Sequence, residues 1–176
     1  MNHTAVHPGG VWATGYKLKG KKFLPQDPFP WEPWGAAGAL RSNTADMLKF
    51  LQANICAHHL FDPACTGFSE DILLALGIAH RPNDYTPSGT LPDPTIYIGG
   101  CGSQVEQAWA WQYLAPPVLN PNNVTPIISK DGGHAGFSAW IGFNPDKSYG
   151  LVILLNTGGI GIINAGQNMI QHTQTP

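Results

Sequence analysis

The sequence predicts an α+β fold, an antiparallel sheet meander with flanking helices. Two helical stripes in the middle of the chain, a strand-alternating C-terminal third and the absence of any internal repeat carry that reading. The 176 residues fit a single domain, 1–176. A hydrophobic content of 43% suffices for a core and excludes general disorder. Charged residues are only 11%, against about 25% in an average chain. Nine Lys and Arg against eleven Asp and Glu give a net charge of −2, which argues against a nucleic-acid partner. No apolar run approaches the ~18 residues of a membrane span, and the strongest, Gly150 to Leu155, has strand length. The 21 glycines and 16 prolines predict long loops. Met1 is not followed by a charged segment and an apolar run, so no signal peptide is visible.

The elements follow in order. Residues 1–33 read as irregular or short-stranded, with a turn signal at His7-Pro8-Gly9-Gly10. Lys17 to Lys22 holds four lysines with no interleaved aromatic, so it reads as a solvated hairpin tip rather than a binding patch. Gln26 to Trp34, with three prolines and two tryptophans, is loop. Ser42 or Asn43 caps a first helix, Asp46 suits its positive end, and Met47, Leu48, Leu51 and Ile55 form the apolar stripe. A second helix starts at Ser69, with Glu70 and Asp71 in its first turn and Ile72, Leu73, Leu76 and Ala79 as its stripe. Arg81 to Gly100 is a long Pro/Gly loop.

The C-terminal third reads as a meander. Thr125 to Lys130 is a strand entering Asp131-Gly132-Gly133. From Phe137 the residues alternate, Phe137, Ala139, Ile141 and Phe143 on one face and Ser138, Trp140, Gly142 and Asn144 on the other. Asn144 to Lys147 is a turn, and Tyr149 to Leu155 a buried strand. Gly158 to Gly161 breaks the sheet, and Ile162 to Gln171 forms a closing helix.

Cys56 and Cys65 bracket a loop containing His58 and His59, and Cys101 stands apart. A Cys56–Cys65 disulfide and three free thiols are both open. The spacing matches no compact zinc arrangement, so no metal is expected.

One dense constellation of chemistry is present, Lys130-Asp131-Gly132-Gly133-His134-Ala135-Gly136. Glycines at a strand end let backbone N–H groups approach an anion. A lysine there can bind a carboxylate or lower a hydroxyl's pKa. A tight turn with an exposed lysine is the bland alternative. The segment fits neither common nucleotide-binding glycine motif, and no cofactor is expected.

Gly35 to Leu51 resembles the AGGL-x-ST-x-x-D-M-x-x-F stretch of class C β-lactamases and related penicillin-binding serine hydrolases. Ser129 to Lys147 is similar to their Lys-Thr-Gly strand and the strand after it. Tyr149 to Asn156 resembles the next strand, which usually ends in Asn. Ala110-Trp111-Gln112 is similar to the preceding L-G-W segment, and Met1 to Thr4 to the family's L-G-M-x-x-T from its Met onward. The shared order of these motifs runs over nearly the whole chain.

The resemblance implies a C-terminal portion of the β-lactamase/transpeptidase-like fold. It implies acyl-enzyme chemistry on β-lactams or D-Ala-D-Ala peptides, in a family mostly exported to the periplasm or secreted. Lys130 would act in proton relay and electrostatics. Asp131, Gly132, Gly133 and His134 would line the substrate, with the Gly133 N–H in the oxyanion hole. No Ser-x-x-Lys and no Tyr-x-Asn occurs in the sequence, so the expected partner is an N-terminal portion of the same domain, and the chain alone should be inactive. Asp131 replaces the family's threonine, which makes an esterase or peptidase relative the alternative. A non-catalytic carboxylate- or peptide-binding module, or an enzyme built on Cys101 or Ser103, completes the set.

Overall fold

The computed structural model describes residues 12–27, 38, 40–81, 105–114, 127–134, 136–159 and 161–172. In chain order the elements are strands β1 (Gly15–Lys19) and β2 (Lys22–Gln26), and helix α1 (Thr44–Cys56). A 3-10 turn (Pro63–Cys65) and helix α2 (Glu70–Ala79) come next. Strands β3 (Val105–Gln107), β4 (Gln112–Leu114), β5 (Ile127–His134), β6 (Phe137–Asn144), β7 (Tyr149–Leu155) and β8 (Thr157–Gly158) precede the final helix α3 (Ile162–His172). The strands form a five-stranded sheet of order β3-β4-β5-β6-β7 and a three-stranded sheet of order β2-β1-β8. This is the expected α+β arrangement. The loops predicted over 28–34 and 82–100 lie outside the described residues, as does Cys101.

Two compact units share the chain, residues 1–51, 131–141 and 151–176 in one, 52–130 and 142–150 in the other. In the first unit β1 pairs antiparallel with β2 and parallel with β8. The lysine-rich segment is a hairpin as expected, turned at Gly20, whose φ of +61° suits a residue without Cβ. β8 falls where the glycines were expected only to break the sheet; two residues suffice to pair with Tyr16 and Lys17. The closest approach to backbone among the described glycines is at Gly136, φ +84°, where an added Cβ would stand 2.5 Å from Tyr16 N. Tyr16 N donates to both Gly136 O (3.0 Å) and Asn156 O (2.9 Å). Ser138 Oγ donates to Thr157 O at 2.9 Å.

α3 packs on β6 through one stripe. Ile162, Gly166 and Ile170, four residues apart, are its buried positions. Gly166 is required there, because an added Cβ would stand 2.4 Å from the Trp140 ring. The first half of β6 buries Ser138 and Trp140 and exposes Phe137 and Ala139, while Ile141 to Asn144 are all buried. β7 is only half-buried, a correction to the fully buried strand expected from its apolar run. It is the last strand of the sheet among the described residues, and an edge strand lacks a neighbour on one side.

Both mid-chain helices are present and keep most of their expected stripes, Met47, Leu51 and Ile55 in one and Leu73, Leu76 and Ala79 in the other being buried or half-buried, with one member of each stripe turned outward. Asn43 caps α1, its Oδ1 accepting from Asp46 N at 2.9 Å. Leu48 is half-exposed, whereas Asp46, Ala53 and Asn54 are buried with Leu51. In α2 Leu73 is buried, but Ile72 is exposed. Apolar count alone misses this, because a buried polar partner can select the inward face.

That partner lies in the second unit. Asn54 Oδ1 stands 2.8 Å from His80 Nε2, and His80 Nδ1 stands 2.9 Å from His58 Nε2. Asn54 Oδ1 can only accept, so His80 carries its proton on Nε2 and His58 donates to His80 Nδ1. The two imidazoles stack at 5.0 Å, and Trp111 and Phe143 meet His80 by their edges. His80 is fully buried. Burial, reinforced by neighbouring His58, pushes its pKa down to about 3. Burial and His59 also lower His58, against an opposing pull from Asp146. A Cys56–Cys65 disulfide, Cα–Cα 5.5 Å, closes the loop below this cluster and packs on Leu73 and Phe68.

Three stability outcomes are expected. Gly166→Ala should destabilise by about 1–3 kcal/mol in chemical denaturation, because overpacking Trp140 outweighs alanine's helix preference of about 1 kcal/mol. Reducing the disulfide should cost about 2–3 kcal/mol, the loop-closure value for a nine-residue separation, read as a lower denaturation midpoint under reductant. The unfolded His80 titrates near 6.5 and the folded one near 3, so between these values the unfolded chain binds the extra proton. Stability should therefore be full above pH ~6.5 and fall on acidification by up to about 1.4 kcal/mol per pH unit. Denaturation series at neutral and acid pH check this, and His80→Gln should flatten the slope.

Candidate functional site

β5 changes character along its length. Ile127, Ile128 and Ser129 are buried and pair antiparallel with Leu114, Tyr113 and Gln112 of β4. That register ends at Ser129. From Lys130 onward the β5 edge runs past β4, and the strand emerges: Lys130, Gly132 and Gly133 are exposed, Asp131 and His134 half-buried. The buried isoleucines fix the strand, and the emergent half presents its chemistry. The expected site residues thus lie together on one strand segment, Lys130 to His134.

Strand alternation sets Lys130, Gly132 and His134 on one face and Asp131 and Gly133 on the other. Asp131 therefore does not project alongside Lys130, although the two are adjacent in sequence. A Cβ added at Gly132 would meet nothing within 4 Å, and one at Gly133 only Phe137 O at 3.8 Å. Packing does not demand glycine at these positions; what glycine provides is an uncovered backbone that a ligand can approach closely. Gly136, two residues beyond His134, is instead structurally required. His134 lies against the segment leading into α1, where a Cβ at Gly38 would stand 3.7 Å from His134 Cδ2.

Other residues take structural places. Asn156, at the end of β7, donates from Nδ2 to Thr14 O at 3.1 Å. Trp111 is buried against His80. His58 and His59, weighed as zinc ligands, are engaged elsewhere: His58 bonds His80, and His59 Nε2 donates to Pro145 O at 2.6 Å. Among the described residues no group of three or more His, Cys, Asp or Glu side chains converges as a metal site. The His58–His80–Asn54 chain escaped the sequence reading, since His80 lies 22 residues from His58 with no periodic relation to it.

The chain is similar to known proteins in both sequence and fold. It is 24% identical over 152 residues to a β-lactamase of Lysobacter lactamgenus, covering 82% of this chain and 37% of that one. Among solved structures, a class C β-lactamase superposes with a TM-score of 0.68 at 20% identity, over 100% of this chain and 48% of its own. A β-lactamase/D-alanine carboxypeptidase from Pseudomonas syringae gives 0.68 at 19% identity, over 99% and 50%. A D-alanine carboxypeptidase from Burkholderia cenocepacia gives 0.64 at 21% identity, over 96% and 50%. At these identities the superpositions establish likeness of fold. The chain spans about half the length of these solved relatives. No helix among the described residues is long and apolar enough to cross a membrane. The family model for β-lactamase matches residues 1–161, and the chain belongs to the β-lactamase family.

Proposed function

We propose that this chain supplies the lysine-bearing wall of a serine acyl-transfer site acting on β-lactams or D-Ala-D-Ala peptides. The observation that carries this reading is the emergent half of β5, where Lys130 precedes two exposed glycines on an edge that β4 no longer covers. An extended acyl substrate can lie along such an edge and bond to its backbone. The Gly133 N–H would then face a developing oxyanion, where fixed donors contribute most to acyl transfer. Lys130, an ammonium at the cleft wall, would stabilise negative charge and relay a proton to or from the nucleophile. Asp131, Gly132 and His134 would flank the bound substrate.

The nucleophile and its base belong, in this reading, to the half of the fold this chain does not span, carrying Ser-x-x-Lys and Tyr-x-Asn. That half is the expected partner, and the half-buried, largely apolar edge strand β7 is where it would add a strand. The chain alone would then be inactive, and the assembled protein periplasmic or secreted. An esterase or peptidase relative is the second reading, because Asp131 stands where the family carries a hydroxyl offered to the substrate, and a carboxylate has no proton to donate.

Co-expression of this chain with a family segment bearing Ser-x-x-Lys and Tyr-x-Asn should yield hydrolysis of a chromogenic β-lactam or a D-Ala-D-Ala peptide. Lys130→Ala should lower that rate by about 10²–10⁴ without loss of assembly. Hydrolysis by the chain alone, abolished by Cys101→Ala or Ser103→Ala, would replace this reading with an independent enzyme. Tight peptide binding by the chain alone, lost in Lys130→Ala and never accompanied by turnover, would replace it with a binding module.

A further inference from the structure

The β1–β2 hairpin carries a segregation of charge that the acyl-transfer reading leaves unused. Four of the nine cationic side chains, Lys17, Lys19, Lys21 and Lys22, fall within six consecutive residues that include no acidic one. Taking these four from the net charge of −2 leaves −6 on the rest of the chain. None of the four makes an ion pair among the described residues.

The strand register sorts this segment into two faces. Lys17 opposes Leu24, Leu18 opposes Phe23 and Lys19 opposes Lys22. Directly opposed residues share a face and successive ones alternate. Lys17, Lys19 and Lys22 therefore project to one side with Leu24, while Tyr16, Leu18, Phe23 and Pro25 project to the other. Leu18 is 48% exposed and Phe23 57%. Neither face stabilises the hairpin. Opposed like charges at Lys19 and Lys22 disfavour it, and a wet Leu–Phe pair contributes little burial. The aromatic residue absent from the linear lysine pattern is brought in by pairing, not by spacing.

We propose that this hairpin is a reversible anchor for an anionic lipid surface. Leu18 and Phe23 would enter the boundary between headgroups and acyl chains, Lys21 at the tip would meet the lipid phosphates, and Lys17, Lys19 and Lys22 would act on them from the far face. A single sheet layer is about 10 Å through, comparable to the Debye length of about 8 Å at physiological salt, so lysines on the far face still feel the phosphate plane. Lys21, in the turn, reaches that plane from the tip. An acidic polymer in water would satisfy the lysines but leave Leu18 and Phe23 wet; a lipid surface accommodates both faces.

Flotation of the purified chain with phosphatidylcholine vesicles, with and without phosphatidylglycerol, tests this. Binding should occur on the anionic vesicles alone and weaken as salt is raised. Lys21→Gln should weaken it about fivefold, and Lys→Gln at 17, 19 or 22 by less, each standing about a Debye length from the phosphates. Leu18→Ser with Phe23→Ser should remove the part that survives salt. All six positions are exposed, and an unchanged circular dichroism spectrum with an intact disulfide verifies folding. If Lys19→Gln disturbs the hairpin, Lys21→Gln in the turn reads the same effect. Equal binding to neutral vesicles, no binding to anionic ones, or lysine variants that bind like the parent would overturn the proposal. Preferential capture by heparin over vesicles would also overturn it and assign the hairpin to a soluble polyanion.

Discussion

A backbone-to-backbone approach at Gly136 holds the end of β5 in place. With φ at +84° and Tyr16 N within 2.5 Å of where a Cβ would be, no other residue fits without displacing β1. The same Tyr16 N–H is shared between Gly136 and Asn156 carbonyls, so the turn after β5 and the exit from β7 are bonded to one point on β1. Ser138 and Asn156 add side-chain bonds to neighbouring backbone. The emergent half of β5, Lys130 to His134, is thus tethered at its far end by this knot and at its near end by buried Ile127 and Ile128. A strand held at both ends can present exposed glycines without fraying.

The second unit is organised by a buried polar chain rather than by apolar packing alone. Asn54, His80 and His58 satisfy one another inside a ring of Trp111 and Phe143, and the disulfide fixes the loop that carries His58. A neutral buried histidine is tolerated because each of its nitrogens has a partner. The cost appears on acidification, because burial and the neighbouring His58 disfavour the charged imidazolium. Asn144, at the end of β6, holds its turn through two backbone N–H groups, at 2.9 and 3.2 Å to Oδ1, and Ser148 takes the left-handed conformation (φ +50°) that returns the chain to β7.

The linear sequence identified the class, both mid-chain helices, the cap at Asn43, the hairpin at the lysines, the closing helix and the strand bearing Lys130. Each of these depends on near neighbours: an Asx cap reaches three residues, a hairpin turn needs two, and strand alternation is set by the pleat. The motifs also led to the family, because their order along the chain mirrors the order of strands in the fold.

What pairing and burial decided lay beyond that reach. Leu48 and Ile72 are apolar yet exposed, and Asp46 and Asn54 polar yet buried, because a helix turns its better-partnered face inward and His80 is that partner for Asn54. β8 has two residues and no pattern of its own; it exists because β1 offers an edge. The lysine hairpin's two faces follow from cross-strand register, and the necessity of Gly136 and Gly166 follows from a backbone and a tryptophan ring far away in sequence. Local propensity is written residue by residue, whereas contact between distant segments is a property of the folded chain.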